Sequence, residues 1–161
     1  MLHLDIKPEN ILLGSASRRS LDSSIVHLID FGISKYYKDQ DGKHLPENNR
    51  VLFAGNILFS SVTAFRNKCK YLASLTNLEP SRRDDIISLL YMLVYLINGK
   101  NHWLGDLNPS DLGYFRKVGQ IKKQLNAETL CVQDALCLKE FAAEVFRIQF
   151  SEQPNYAKLK H

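Results

Sequence analysis

Residues able to do chemistry crowd the N-terminal end of this sequence. His3-Leu4-Asp5-Ile6-Lys7-Pro8-Glu9-Asn10 reads as a polar loop, and Ile11-Leu12-Leu13 after it as a short strand ending at Gly14. After a Ser/Arg stretch from Ser15 to Ser24, Ile25-Val26-His27-Leu28-Ile29 reads as a second short strand that runs straight into Asp30-Phe31-Gly32. Two strands thus present two acidic loops side by side. Carboxylates accept protons, carboxylates and carboxamides both offer hard oxygen donors, and a histidine such as His3 is often a general base. Taken singly, each has an ordinary alternative: Asp5 as a loop cap, Asn10 as a turn residue, Asp30 as a strand-end turn.

The element that must position these loops runs from Ser81 to Gly99. Ile86, Ile87 and the run Leu89 to Ile97 leave no polar face, which predicts a central helix buried on every side. Ser81 followed by Asp84 is a capping-box start, and Asn98-Gly99 supplies the stop. The apolar run falls short of the roughly twenty residues a bilayer needs. Arg82-Arg83-Asp84-Asp85 gathers charge at the mouth of this helix. Further on, Trp103 is expected in the core, and Asn108-Pro109-Ser110-Asp111 as the start of a helix whose stripe is Leu112, Phe115, Val118, Ile121 and Leu125. A clearer amphipathic helix carries Leu138, Phe141, Ala142, Val145 and Ile148.

The 161 residues, 45% hydrophobic and 24% charged, suit one domain with a real core. A formal charge of +4 is too mild to argue for nucleic acid and is compatible with anionic ligands such as nucleotides or acidic peptides. Cys69, Cys131 and Cys137 are odd in number and lack metal spacing, which reads as reduced thiols in an intracellular protein of the cytoplasm or nucleus. The start of the chain has neither signal-peptide nor transit-peptide composition, and no membrane association is expected.

The two acidic loops resemble the catalytic and metal-binding loops of a protein kinase, whose signature is His-Arg-Asp, an Asn five positions after the Asp, and then Asp-Phe-Gly. His3, Asp5, Lys7, Pro8, Asn10, Asp30, Phe31 and Gly32 match it together. The resemblance implies that Asp5 is the base, that Asn10 and Asp30 hold Mg2+ and ATP, and that Lys7 lies near the transferred phosphate, as in kinases acting on Ser or Thr. It gives His3 a structural place under Phe31, beside Gly32. Ile33 to Asp39, His44-Leu45-Pro46, Glu47-Asn48-Asn49, Gly55 and above all Ser81-Arg82-Arg83-Asp84-Asp85 are similar to the casein kinase I family. So are Leu130-Cys131, Glu140-Phe141 and the Phe150 to Tyr156 stretch with Pro154. Asp85 then corresponds to the aspartate that anchors the catalytic loop.

The implied fold is mainly α: a kinase C-terminal lobe with short β-hairpins at the two loops, built around the buried helix over about 82–98. Residues 1–161 form one partial kinase domain, with a catalytic loop over 3–10, a metal-binding loop over 30–32 and an activation segment over about 30–64. The implied activity is transfer of the ATP γ-phosphate to protein Ser or Thr, with ATP and protein substrates as partners and the oligomeric state left open. A catalytically inactive lobe serving as a scaffold is the alternative.

Several positions depart from the family. Leu4 stands where most kinases have an Arg that grips a phosphorylated activation loop. Asn56-Ile57-Leu58-Phe59-Ser60-Ser61 stands where the family has Thr, a small residue, Arg, Tyr, Ala and Ser; Leu58 cannot bind an anion. The connection from Ala64 to Pro80, with Arg66, Lys68 and Lys70, is longer than usual. No Gly-rich loop and no strand lysine paired with a helix glutamate is present, so the N-terminal lobe is absent from this sequence. Alone, the chain is therefore expected to be inactive and marginally folded, with an apolar flank exposed.

Overall fold

In the computed structural model, Arg82–Asn98 forms a 17-residue helix, α2, at the centre of the molecule. The structure describes residues 1–14, 25–47, 55–65 and 79–160. The Ser/Arg stretch 15–24, Asn48, Asn49 and the basic residues Arg66, Lys68 and Lys70 lie outside the described residues. Ser81 caps α2 in the capping-box arrangement, its backbone N–H donating to Asp84 Oδ2 at 2.7 Å. Gly99 ends the helix at φ +69°, a left-handed conformation that a side chain would strain.

The core forms where α2 meets the C-terminal elements. Leu90, Tyr91 and Val94 are buried, and Tyr91 stacks on Trp103 with ring centroids 5.6 Å apart. Around them pack α3 (Tyr114–Gln124), α4 (Ala127–Leu130) and α5 (Lys139–Arg147), with a short helix α1 (Val62–Phe65) against α3. Val118, Leu130, Ala142 and Val145 supply the facing side chains. Each fully buried aliphatic side chain contributes about 1.5–3 kcal/mol. Asn98 ties the far end of α2 to the C-terminal segment: its Nδ2 donates to the Val132 carbonyl and its Oδ1 accepts from the Ala135 N–H, both at 3.2 Å.

The other secondary structure is a two-stranded antiparallel sheet, β1 (Ile11–Gly14) with β2 (Ile25–Leu28), in the register Ile11 opposite Leu28 and Gly14 opposite Ile25. Among the described residues the molecule is thus mainly helical with one small hairpin, consistent with the fold that the resemblance implies.

Two expectations need correction. Burial of α2 on every side fails in its last turn, where Leu96 and Ile97 turn away from the buried cluster and are exposed to solvent. Asn108-Pro109 does not start a helix. Asn108 closes a turn instead, its Oδ1 accepting from the Ser110 N–H at 2.9 Å, and Leu112 is fully exposed. Gly113 at φ +81° breaks any helical continuation, so α3 begins only at Tyr114.

Candidate active site

The hairpin sets the site by delivering both acidic loops to one end. The Ile29 N–H donates to the Asn10 carbonyl at 3.0 Å, one rung past the β1–β2 ladder, so that Asn10 and Asp30 leave the sheet together. On the other side, Leu2 and Lys35 exchange backbone hydrogen bonds of 2.7 and 3.0 Å. The 3–10 loop is therefore framed at both ends. Pro8 opens a single 3-10 turn, Pro8–Asn10, as its fixed φ favours.

The backbone of the loop is held from α2. Asp85 accepts the His3 N–H at 2.7 Å on Oδ2 and the Leu4 N–H at 2.8 Å on Oδ1. Burial pushes the Asp85 carboxyl above its usual range, and these two hydrogen bonds partly oppose that. Leu4 sits at φ +69°, a conformation rare for a residue with a side chain. The His3 Nε2 lies 2.9 Å from the Ile29 carbonyl, which can only accept, so Nε2 carries the proton and Nδ1 is left to accept the Asp5 N–H at 3.3 Å. Its ring meets Phe31 edge-on at 4.9 Å. Both nitrogens of His3 are thus engaged by backbone.

Asp5 is buried, and its two oxygens differ. Oδ2 accepts from Lys7 Nζ at 2.6 Å and from Asn10 Nδ2 at 3.0 Å, while Asn10 Nδ2 also reaches the Asp5 carbonyl at 2.8 Å. Oδ1 meets no hydrogen-bond partner among the described residues. The hydrogen bond to Asp5 raises the Lys7 pKa, keeping the ammonium charged. Asp30 is exposed at φ +63°, and its Oδ1 accepts the Gly32 N–H at 3.3 Å. Among the described residues no cluster of three or more His, Cys, Asp or Glu could hold a metal. A carboxamide and a carboxylate at the same end of a hairpin, beside a buried unpartnered carboxylate oxygen, fit a hard cation that keeps few protein ligands.

The charges at the mouth of α2 are engaged structurally. The Arg82 guanidinium lies over the Tyr37 ring at 4.8 Å and donates to the Ser151 carbonyl at 2.9 Å. Arg83 donates to Glu47 at 3.2 Å, and Lys35 pairs with the buried Glu79.

Over nearly its whole length the chain is also similar to known proteins. It is 29% identical over 161 residues to casein kinase I homolog 2 of Schizosaccharomyces pombe, covering 99% of this chain and 34% of that protein. It is 32% identical over 162 aligned positions to a probable casein kinase I homolog of Encephalitozoon cuniculi, covering 98% of this chain and 45% of that protein. Its similarity is thus to casein kinase I homologues. With a casein kinase 1-like protein of Oryza sativa the identity is 35%, over 98% of this chain and 20% of the relative. The chain thus spans less than half the length of these curated relatives. No family model matches it. No helix among the described residues is long and apolar enough to cross a membrane.

One residue beside the site escapes a sequence reading. Lys122 is buried on the inner face of α3, and its Nζ donates to the carbonyls of Ile57 at 2.7 Å and Ser60 at 2.6 Å. The signal that could have found it is its spacing of four from Val118 and eight from Tyr114, both buried on the same face.

Proposed function

We propose that this chain carries the catalytic and metal-binding loops of a serine/threonine protein kinase domain of casein kinase I type. The observation that carries the reading is the asymmetry of Asp5. One oxygen is fixed by Lys7 and Asn10, and the other is buried without a partner among the described residues. An oxygen so placed can take a hydrogen bond, and then the proton, from an acceptor hydroxyl. Asp5 is the base in this reading; Lys7 orients its carboxylate and lends positive charge where phosphate oxygens would lie. Asn10 and Asp30 would hold Mg2+ against ATP, which supplies the transferable phosphoryl group. His3, Phe31, Gly32 and Asp85 support the loops, which span 3–10 and 30–32, with an activation segment over about 30–64. Protein Ser and Thr side chains in an intracellular compartment are the proposed acceptors.

The test is phosphotransfer from labelled ATP by the full-length protein that contains this chain. Asp5→Asn is expected to lower kcat by about 10²–10⁴-fold with the fold intact. An unchanged rate in a folded variant would overturn the reading. The scaffold alternative draws on Leu4 and Leu58, apolar where the family carries Arg; it predicts no phosphotransfer by the parent protein.

A further inference from the structure

We propose that Lys122 is a positioning residue for the substrate side of this site, its ammonium fixing the backbone of Asn56–Ser61. The inference rests on the kinase reading above, which makes this segment the floor on which an acceptor peptide would lie. The segment is irregular, so some of its carbonyls need donors from elsewhere. Its own turn is closed by the Ser60 N–H on the Asn56 carbonyl at 2.9 Å, and by the Leu58 N–H on Asn56 Oδ1 at 2.7 Å. The carbonyls of Ile57 and Ser60 take the ammonium of Lys122, 65 and 62 positions away in sequence.

The ammonium is held from two sides. Two of its protons meet carbonyls, and the charge lies 4.7 Å from the centre of the Tyr91 ring, on the central helix α2. Burial pushes its pKa well down, so holding a charge there costs stability that a leucine on the same helical face would not. A leucine would leave both carbonyls unpaired. Around this point the segment is fixed at its ends: Gly55 lies against the Leu4 carbonyl, and Ser61 Oγ donates to the buried Asp84 at 2.5 Å. Lys122 is the support in the middle, between the catalytic loop and the start of α2. A planar guanidinium can reproduce its tetrahedral fan of donors only in part.

The experiment compares Lys122→Met and Lys122→Arg with the parent in the full-length protein. In Lys122→Met, the KM for an acceptor peptide should rise about tenfold while the KM for ATP stays within about twofold, and Lys122→Arg should recover part of the loss. Amide hydrogen exchange across 56–61 should quicken in the methionine variant, with exchange across 3–10 unchanged. A folded Lys122→Met with parental peptide KM and parental exchange at 56–61 overturns the proposal. Should that variant lose its cooperative melt, Lys122→Gln carries the same two readings. Failure of the kinase reading looks different: the parent itself transfers no phosphate, and the exchange at 56–61 still decides whether Lys122 holds the segment.

Discussion

Asp84 and Asp85 are adjacent in the chain and serve different loops. Asp85 faces the His3 and Leu4 amides, whereas Asp84 accepts from Ser61 Oγ and the Ser81 N–H. Burial raises the Asp84 pKa above its ordinary 3.8, against the opposing pull of those hydrogen bonds and of Arg83. A carboxyl raised in the fold binds more protons than in the unfolded chain between the two pKa values. Its contribution to stability is therefore fully present below the unfolded value and falls as pH rises through the folded one. Asp85 acts in the same direction. Asp84→Asn removes the Asp84 part of this slope. In urea unfolding, the stability of the parent relative to this variant should decline as pH rises from the ordinary carboxylate range toward neutrality. A relative stability that climbs with pH would contradict the assignment.

Among the elements, two glycines with positive φ answer to different demands. At Gly99, φ is +69° and nothing lies within 4 Å of where a Cβ would be, so Gly99→Ala should cost only the conformational penalty, about 1 kcal/mol. At Gly55, φ is +120° and the same Cβ would come within 2.5 Å of the Leu4 carbonyl. Gly55→Ala must therefore push the 55–61 segment off the 3–10 loop, and should cost more than Gly99→Ala by at least about 1 kcal/mol in thermal or urea unfolding. Equal costs would mean the contact is not constraining. The ends of α2 were legible in the sequence because capping chemistry is local: Ser81 with Asp84 and Asn98 with Gly99 need no tertiary information. Trp103 and the α5 stripe were legible through their apolar character. The start of α3 was not, because an Asn-Pro pair serves a turn as well as a cap and the left-handed Gly113 decided between them. Nor was Lys122, since a lysine on a helix reads as solvent-facing until its acceptors, on a distant segment, are known. In the site, the residue types and spacing of Asp5, Asn10 and Asp30 pointed to one place; the unequal surroundings of the two Asp5 oxygens could come only from the fold.

For the molecule as a whole, the hairpin is the unfinished surface. Leu13 is 69% exposed and Val26 61%, with Leu12 and Ile25 open beside them, so paired strands present an apolar face to water. Studied alone, the 161-residue chain should self-associate through this face. Light scattering on Leu13→Lys/Val26→Glu should show less association than the parent, with the helical core melting at a similar temperature because neither side chain belongs to it. Association undiminished by the double substitution would place the sticky surface elsewhere, such as at Leu96 and Ile97.

His3 and Leu4 reach their acceptor, Asp85, from 82 and 81 positions away, while β1 and β2 pair within the first 28 residues. That difference orders events in time. A chain leaving the ribosome can zip its hairpin from nearby contacts, but its acidic loop stays unframed until α2 has been made and the long loop closed. The nascent chain thus carries Asp5 and Asn10 well before it owns a site, and the geometry that could use them waits for Asp85.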